Sequence, residues 1–412
     1  METSTTPQDQ YKTFFFCGGQ AEFEDLTNYK QFGLHPITLG DVLPKPLTCV
    51  SDVNKEPRYR IMLKLGYGAF ATVWLARDLV EKRYVAVKVG LGSDKPLPDR
   101  EADILSQIRE TGPGKHGYER VIELLDVFIV EGPNGFHQCL VTEVVSPLSD
   151  EDTNDYCSYN VVRQIVEGFA FLHGEGIVHG DPHIGNFGIA LPQLEQFEED
   201  DIIDYFASEE VVAVVPRDIK LPLNSFPPYI VPSVIMTDFL QSRKAFPAGS
   251  LNVKILDFGR ACRKSQAVPD LLGAPPKMIR PPEFLLHELR HGKISSTWSE
   301  AADIWAVGCT IFFSGQFSSV DLLQKLGRNF GSRKIGNMKI VAPVLCDRVE
   351  VWKRYETRAY RNSFRMLDDE SLEFLNLIKR MIITNPDERT PTTVLLTDPF
   401  MVKRRKEEES VT

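Results

Sequence analysis

Two short segments, separated by a long gap, constrain this chain more than any other feature. Residues 179–186 read His-Gly-Asp-Pro-His-Ile-Gly-Asn, and residues 257–259 read Asp-Phe-Gly. Asp181 is suited to accept or orient the proton of an attacking hydroxyl, whereas Asn186 and Asp257 are hard oxygen ligands of the kind that hold Mg²⁺ on ATP phosphates. Each segment alone indicates little, because short motifs arise by chance. Together they predict a phosphoryl-transfer site.

A glycine-rich turn lies upstream, between two β-rich runs at residues 59–65 and 71–76. Gly66 and Gly68 let the backbone turn tightly and bring its N–H groups close to phosphate oxygens. Ala71 stands where a third glycine is usual. A strand–turn–strand context argues against a dinucleotide-binding fold, which needs a strand followed by a helix. Taken alone, the turn is equally consistent with an ordinary hairpin.

Lys88 ends an apolar run at residues 84–88 that is a third candidate strand. A lysine there is either an edge residue that reaches solvent or a ligand of the α and β phosphates. Glu101 lies in the helix-like stretch that follows and can point inward to hold Lys88. Asp99 and Asp103 are neighbouring alternatives, and each of these acids is also compatible with a solvated helix face.

Composition narrows the class of protein. The 412 residues are enough for two or three domains or one two-lobed enzyme, and the net charge of −10 disfavours nonspecific nucleic-acid binding. A basic peptide is the easier partner. Seven scattered cysteines without zinc spacing favour a reducing compartment, the cytoplasm or the nucleus. The polar N-terminus has no signal pattern, and we expect no membrane segment.

These segments follow the order found in eukaryotic protein kinases, which the chain resembles over roughly residues 58–400. Three later motifs support the resemblance: Arg-Pro-Pro-Glu at 280–283 matches the A-P-E element, 303–308 matches D-x-W-x-x-G, and 385–390 contains the final arginine. The resemblance implies an α+β, two-lobed kinase fold, with a small antiparallel-sheet N-lobe and a mainly helical C-lobe.

The predicted domain boundaries follow from this resemblance. They comprise an N-terminal extension at 1–57 that packs on the body, an N-lobe at 58–145, a C-lobe at 146–400 that includes an insert at 191–250, and a charged tail at 401–412.

The resemblance also assigns roles to residues. Asp181, Lys88, Glu101 and His183 would be catalytic, and Asn186 and Asp257 would hold Mg²⁺. ATP would be bound by Leu65, Gly66, Tyr67, Gly68, Ala69, Phe70, Ala71, Thr72 and Val73, together with Ala86, Lys88 and the backbone of Glu143 and Val145. Leu105, His179 and Phe258 would stack, and Glu283 would pair with Arg389.

The gap of 71 positions between Asn186 and Asp257 identifies a narrower resemblance. An acidic, proline-containing insert at this junction is similar to the spacer of the SR-protein kinases, as is the run Thr72-Val73-Trp74-Leu75-Ala76. The divergent fungal branch, which also has histidine in the catalytic loop, is the most similar. The resemblance implies a monomeric serine/threonine kinase that phosphorylates serine in basic, Arg-Ser-rich proteins such as mRNA splicing factors.

Three positions depart from the kinase pattern. His183 replaces the catalytic-loop lysine, Gly180 replaces the arginine of H-R-D, and Pro276 replaces a threonine before the A-P-E element. The changes at His183 and Pro276 leave open a pseudokinase or scaffold that binds nucleotide and partners without efficient transfer, whereas Gly180 removes the usual receiver of an activation-loop phosphate. The segment H-G-D-x-H-x-G-N also resembles the catalytic loop of aminoglycoside and choline kinases, but those enzymes lack the A-P-E and D-x-W-x-x-G elements.

Overall fold

The chain alternates between two structural units in the computed structural model. The model describes residues 9–15, 23–149, 159–207, 211–218, 220–246, 251–264, 276, 279–284, 298–313, 369–383 and 385–403. Met1–Arg109, Ile122–Ser146 and Ala190–Gly249 form the first unit, here called the sheet unit. Glu110–Val121, Pro147–Ile189 and Ser250–Thr412 form the second, the helical unit. Most of the predicted charged tail lies outside the described residues.

The strands are β1 (Phe14–Phe15), β2 (Val42–Leu43), β3 (Tyr59–Tyr67), β4 (Ala71–Asp78), β5 (Tyr84–Ser93), β6 (Leu124–Gly132), β7 (Gly135–Thr142), β8 (Val145–Pro147), β9 (Ile177–Val178), β10 (Phe187–Ala190), β11 (Val212–Ala213), β12 (Val215–Pro216), β13 (Tyr229–Ile230), β14 (Val253–Ile255) and β15 (Cys262–Arg263). The α-helices are α1 (Asp9–Thr13), α2 (Arg100–Thr111), α3 (Tyr159–Gly174), α4 (Glu199–Tyr205), α5 (Met236–Ser242), α6 (Glu300–Phe313), α7 (Asp369–Met381) and α8 (Thr392–Leu395).

A six-stranded antiparallel sheet, in the order β2-β3-β4-β5-β7-β6, forms the centre of the sheet unit. The predicted strands correspond to β3, β4 and β5, and the predicted helix after them corresponds to α2. Apolar side chains from all six strands, among them Ile61, Trp74, Val87 and Phe128, meet in one buried cluster. Each such side chain contributes about 1.5–3 kcal/mol when it leaves water, which holds the strands in register.

The insert belongs to the sheet unit, which differs from the predicted boundary that placed residues 191–250 in the C-lobe. Its apolar residues Leu194, Phe239 and Leu240 are fully buried in a cluster with Met62 and Leu75 of β3 and β4. The burial of these side chains against the sheet explains why the segment groups with this unit, although the flanking motifs are in the helical unit.

The N-terminal extension packs on the same unit, as predicted. Strand β1 pairs antiparallel with β12 of the insert, with Phe14 opposite Pro216 and Phe15 opposite Val215. Behind this pairing, extension residues such as Leu26 share a second buried cluster with insert residues such as Phe226. The extension and the insert therefore stabilise each other as well as the sheet.

Two buried polar side chains connect the extension, the insert and the sheet. The Lys64 ammonium donates hydrogen bonds to both Glu24 carboxylate oxygens at 2.7 Å and to the Val231 carbonyl at 3.0 Å. The Asn134 amide nitrogen donates to the carbonyls of Leu34 and Ser225, each at 2.7 Å. Because a buried polar group without a partner is costly, each junction needs both the extension and the insert in place.

The helical unit is organised around α3. The apolar residues of this helix recur at helical spacing, and Val162, Ile165, Phe169 and Leu172 have no exposed surface. Helix α3 contacts α8, β9 and β14, and α6 contacts α7. Together the two units confirm the predicted α+β class, with an antiparallel-sheet part and a mainly helical part. Within the described ranges, none of the helices combines the length and hydropathy that a membrane span requires.

Candidate active site

The predicted lysine–glutamate pair is present in the sheet unit. Lys88 lies in the interior of β5, and its ammonium donates to the Glu101 carboxylate oxygens at 2.9 and 2.7 Å. Asp99 has a different role, because its Oδ1 accepts the Ala102 N–H at 2.8 Å near the start of α2. The side chain of Lys88 stays 27% exposed. It therefore has a fixed position and retains a surface that a phosphate could approach.

The glycine-rich turn closes the β3–β4 hairpin. The Gly68 N–H donates to the Ala71 carbonyl at 2.9 Å, and the Phe70 side chain at the tip is 67% exposed. A Cβ atom at Gly66 or Gly68 would meet no atom within 4 Å, so the backbone there faces open space. This geometry fits the predicted phosphate-binding turn, whose role remains a prediction.

The segment predicted to bind an adenine edge is also in the sheet unit. Ala86 is buried in β5 opposite Thr142. The Glu143 carboxylate accepts a hydrogen bond from the Glu123 N–H at 2.8 Å. The backbone carbonyl of Glu143 accepts one from the Thr142 hydroxyl at 3.1 Å. The Glu143 carboxylate thus has a structural role, and Val145 begins β8. Nucleotide binding by the backbone at these two positions stays a prediction.

In the helical unit, Asp303 of α6 holds the start of the predicted catalytic loop, residues 179–186, through backbone hydrogen bonds. Its carboxylate accepts the backbone N–H of His179 at 2.7 Å and of Gly180 at 3.0 Å, and the Trp298 indole N–H at 2.7 Å. Burial acts to raise the pKa of Asp303, but its hydrogen bonds and the nearby His173 and His179 lower it below its usual value. An ionised Asp303 therefore fixes the two residues that precede Asp181.

Asp181 offers an unused acceptor. Its Oδ1 is buried and has no hydrogen-bond partner among the described residues. Burial raises the pKa of this carboxyl group, and the charge of Asp257 adds to that rise, while His183, His179 and Arg260 oppose it. A buried oxygen without a donor needs an explanation, and a substrate hydroxyl would supply the missing donor.

His183 presents a single nitrogen to Asp181. Its Nδ1 accepts the Gly185 N–H at 3.1 Å, so the neutral ring carries its proton on Nε2. Nε2 lies 3.9 Å from Asp181 Oδ2. His183 can therefore donate a hydrogen bond from Nε2, but an imidazole lacks the permanent charge of a lysine.

The two predicted metal ligands are brought together by backbone pairing. Strand β10 starts directly after Asn186 and pairs with β14, and the Leu256 N–H donates to the Asn186 carbonyl at 2.8 Å. The Asn186 amide nitrogen donates to the Asp181 carbonyl at 2.8 Å, which orients its amide oxygen to the other side. One carboxylate and one amide fit Mg²⁺, which takes few protein ligands and completes its shell with phosphate and water oxygens.

Asp257 has a backbone conformation that is unusual for a side-chain-bearing residue. Its φ of 56° lies in the left-handed region, which costs energy unless the surroundings impose it. The Asp257 carboxylate accepts the Gly259 N–H at 3.3 Å. Strain of this kind concentrates at functional sites, in agreement with the predicted metal role.

Two further predicted contacts are present in the helical unit. The rings of His179 and Phe258 lie 5.1 Å apart, whereas Leu105, the third predicted member of that stack, belongs to the sheet unit and is buried there. Arg389 donates two hydrogen bonds to the Glu283 carboxylate, at 2.7 and 2.6 Å. The predicted glutamate–arginine pair therefore forms.

Sequence reasoning missed Arg260. Its Nε lies 3.6 Å from Asp181 Oδ2, closer than the Nε2 of His183. The available signal was its position immediately after Asp-Phe-Gly, next to a predicted metal ligand.

Comparison with known proteins supports the kinase assignment. No family model matches the chain. Human SRSF protein kinase 3 is 32% identical over 187 residues, which cover 43% of this chain and 31% of that protein. Serine/threonine-protein kinase spk-1 of Caenorhabditis elegans is 33% identical over 190 residues, which cover 42% of this chain and 17% of that protein. A serine/threonine protein kinase of Aspergillus fumigatus is 24% identical over 412 residues, covering 92% and 91%.

The chain is similar in sequence to SR-protein kinases over part of their length. The aligned part spans less than a third of the human and nematode kinases, but nine-tenths of the fungal one. A solved kinase domain aligns with 88% of the chain and 99% of its own length, at 16% identity and a TM-score of 0.47. The prediction of an SR-protein-kinase-like chain with fungal likeness is confirmed.

Proposed function

We propose that this chain transfers the γ-phosphate of Mg-ATP to serine side chains of basic, Arg-Ser-rich proteins. The observation that carries the proposal is the buried Asp181 Oδ1, which has no hydrogen-bond partner among the described residues and lies in a loop with Asn186, whose carbonyl accepts the Leu256 N–H next to Asp257. An acceptor for a hydroxyl and a pair of hard metal ligands on two paired backbone segments suit phosphoryl transfer better than any other reaction class.

The residues of the chain would divide the work as follows. Asp181 accepts the proton of the serine hydroxyl as its oxygen attacks the γ-phosphorus. Lys88, held by Glu101, binds the phosphates that remain on the leaving nucleotide. Asn186 and Asp257 hold Mg²⁺, which neutralises charge on the phosphates when bound. Catalysis then comes mainly from positioning and charge neutralisation.

The substrate class follows from charge and relatives. The chain has a net charge of −10, which favours basic partners over nucleic acid. Three similar proteins, from human, mouse and pig, carry the name SRSF protein kinase 3, which supports an Arg-Ser-rich substrate for this chain. We propose that the chain acts as a monomer in the cytoplasm or nucleus.

A pseudokinase is the second candidate, and His183 favours it. In place of a lysine, this residue puts an imidazole nitrogen 3.9 Å from Asp181 and lacks a permanent charge. Pro276, which replaces a threonine, also favours it. Such a protein would bind nucleotide without efficient transfer, so nucleotide binding alone does not separate the two functions.

The test is transfer of labelled γ-phosphate from Mg-ATP to an Arg-Ser-repeat peptide, with an Arg-Ala-repeat peptide as the matched control. We expect phosphoserine on the first peptide only. Asp181→Asn should slow transfer by about 10²–10⁴-fold, because it removes the proton acceptor while preserving shape. If the unmodified chain labels neither the peptide, a generic basic protein, nor itself, the pseudokinase function is the correct one.

A further inference from the structure

A permanent positive charge stands next to Asp181 on a residue outside the catalytic loop. Arg260 Nε lies 3.6 Å from Asp181 Oδ2, and the Arg260 side chain is 30% exposed. Among the described residues, only His183 and Arg260 come within ion-pair distance of this carboxylate. Because an arginine guanidinium keeps its charge throughout the physiological pH range, Arg260 is the permanent cation of the pair.

The backbone of Arg260 is held in place by the catalytic loop. Gly180 has a φ of 84°, and a Cβ atom there would lie 2.7 Å from the Arg260 carbonyl oxygen. A side chain at position 180 would therefore collide with the Arg260 backbone. Gly180 therefore allows the catalytic loop to approach the Arg260 backbone closely.

Hydrogen bonds on both sides of Arg260 fix it further. The Ala261 N–H donates to the Phe258 carbonyl at 3.0 Å, which closes a turn around Gly259 and Arg260. Immediately afterwards, β15 pairs antiparallel with β9, with Cys262 opposite Val178. A cation on so constrained a backbone needs little reorganisation to act, which is the condition for strong electrostatic stabilisation.

We propose that Arg260 is a catalytic residue that contacts the transferred phosphoryl group, in place of a catalytic-loop lysine. The inference deepens the proposed function and rests on it. A hydroxyl bound to Asp181 lies about 2.6–3.2 Å from the carboxylate, and the phosphorus it attacks lies about 3–3.5 Å farther. The terminal nitrogens of Arg260 extend beyond Nε and can span that distance, and their planar arrangement suits phosphate oxygens.

The reaction balances without another reactant. The bond from the serine oxygen to the γ-phosphorus forms as the bond from that phosphorus to the β–γ bridging oxygen breaks. ADP leaves with the electron pair, and the hydroxyl proton moves to Asp181. Arg260 neutralises negative charge on the equatorial oxygens throughout the transfer.

The experiment compares Arg260→Gln and Arg260→Lys with a matched control, Lys264→Gln, in the full-length chain. Lys264 is a nearby cation that pairs with Glu300 at 3.0 Å. Kinetics with the Arg-Ser peptide would be combined with calorimetric binding of Mg-ADP and of a non-hydrolysable Mg-ATP analogue. The binding ratio reports contact with the γ-phosphate independently of turnover.

We expect Arg260→Gln to lower kcat by about 10²–10³-fold, as when one transition-state donor is removed. Its affinity for the ATP analogue should fall by about tenfold or more, with ADP affinity unchanged. Arg260→Lys should recover much of the kcat and much of the affinity for the ATP analogue. Lys264→Gln should have the same kcat and nucleotide affinities as the unmodified chain. Retained ADP binding by Arg260→Gln also shows that the variant is folded.

The inference is overturned if Arg260→Gln keeps the kcat and the analogue-to-ADP ratio of the unmodified chain. It is also overturned if both nucleotides weaken equally, since that result indicates a structural role. Failure of the proposed function has a different signature, because the unmodified chain would then transfer no phosphate. In that case a selective loss of analogue binding would still establish the Arg260 contact, and an unmodified chain that bound neither nucleotide would contradict both.

Discussion

Two lysine–glutamate pairs in the sheet unit have the same chemistry but different surroundings. Lys64 of β3 and Glu24 of the extension are 1% and 2% exposed, whereas Lys88 of β5 and Glu101 of α2 are 27% and 9% exposed. In both pairs the ammonium donates to both carboxylate oxygens. The difference therefore lies in burial and in what else each lysine touches.

Lys64 has a structural role, because all three donors of its ammonium group are used within the sheet unit. Its third donor goes to the Val231 carbonyl, and its ammonium lies 5.0 Å from the Trp74 ring. Burial lowers the pKa of Lys64 from its usual value, against the opposing effect of Glu24. Lys88 keeps a quarter of its side chain exposed. Exposure, rather than the residue pair itself, therefore distinguishes the lysine with a proposed role in the site from the structural one.

The largest effect on stability is expected from breaking the buried pair. Glu24→Gln keeps the shape of the side chain but leaves the Lys64 ammonium buried without a counter-charge. Removing one partner of a buried ion pair typically costs about 3–5 kcal/mol of the free energy of unfolding. Urea denaturation of the variant would measure this loss.

A double variant, Glu24→Leu with Lys64→Met, is the control for that measurement. Replacing a buried pair by apolar residues is often neutral, so the double variant should recover most of the loss. A single variant as stable as the unmodified chain would show that Lys64 is not committed to the fold.

The second effect concerns activity. Lys88→Met should reduce kcat/KM by about 10²–10³-fold, because it removes a donor to the phosphates. The free energy of unfolding should fall by less than for Glu24→Gln, because the Lys88–Glu101 pair is partly exposed whereas the Lys64–Glu24 pair is fully buried. Lys82→Met, at an exposed lysine in the β4–β5 turn, is the matched control. A Lys88→Met protein that retains full activity, or that unfolds, would contradict the comparison.

The third effect depends on pH and arises where the extension meets β7. The His35 and His137 rings lie 4.6 Å apart, and burial, His137 and Lys45 together lower the pKa of His35 from 6.5 to about 3. Below pH 6.5 the unfolded chain binds a proton that the folded chain does not bind until about pH 3. The free energy of unfolding therefore falls as the pH is lowered through this window, by about 2 kcal/mol between pH 6.5 and 5.

Denaturant unfolding at pH 7, 6 and 5 would measure this slope, with His35→Phe as the variant that cannot titrate. We expect the variant to have a shallower dependence on pH. An equal slope in both proteins would show that His35 does not contribute to the acid sensitivity.

The smallest effect is expected at an exposed pair. Arg77 and Glu195 lie 3.4 Å apart, and Glu195 is 43% exposed. Glu195→Gln removes the charge but keeps an oxygen for the Tyr84 N–H, which donates to it at 2.7 Å. The free energy of unfolding, measured by thermal denaturation, should fall by less than about 1 kcal/mol. If Glu195→Gln lowered the free energy of unfolding as much as Glu24→Gln, burial would not explain the difference between the ion pairs.

The contiguous motifs could be predicted from the sequence. Short local patterns predicted strands β3 to β5, helix α2 and the Lys88–Glu101 pair. The Glu283–Arg389 pair followed from the resemblance to protein kinases. Among three adjacent acids, the sequence allowed each as the partner of Lys88, and packing of α2 selected Glu101.

Long-range packing could not be predicted. Glu24 and Lys64 are 40 positions apart and Lys64 and Val231 are 167 apart, so no local pattern relates them. The insert was misplaced for the same reason, because Leu194 and Leu240 show no periodicity that points to the sheet. Arg260 escaped notice because its relation to Asp181 depends on the left-handed backbone at Gly180, which sequence does not display.

The junction at Asn134 has a consequence for how the protein is made. Its amide connects Leu34 to Ser225, positions separated by about 190 residues of chain. At a synthesis rate of about 5–20 residues per second, the ribosome needs roughly 10–40 s to pass from one to the other. During that interval the extension and the central sheet have emerged, but the segment that completes them has not. A nascent chain paused before residue 190 would therefore expose the apolar side chains of Leu26, Leu34 and Met62, and it is the stage at which we expect chaperones to be needed.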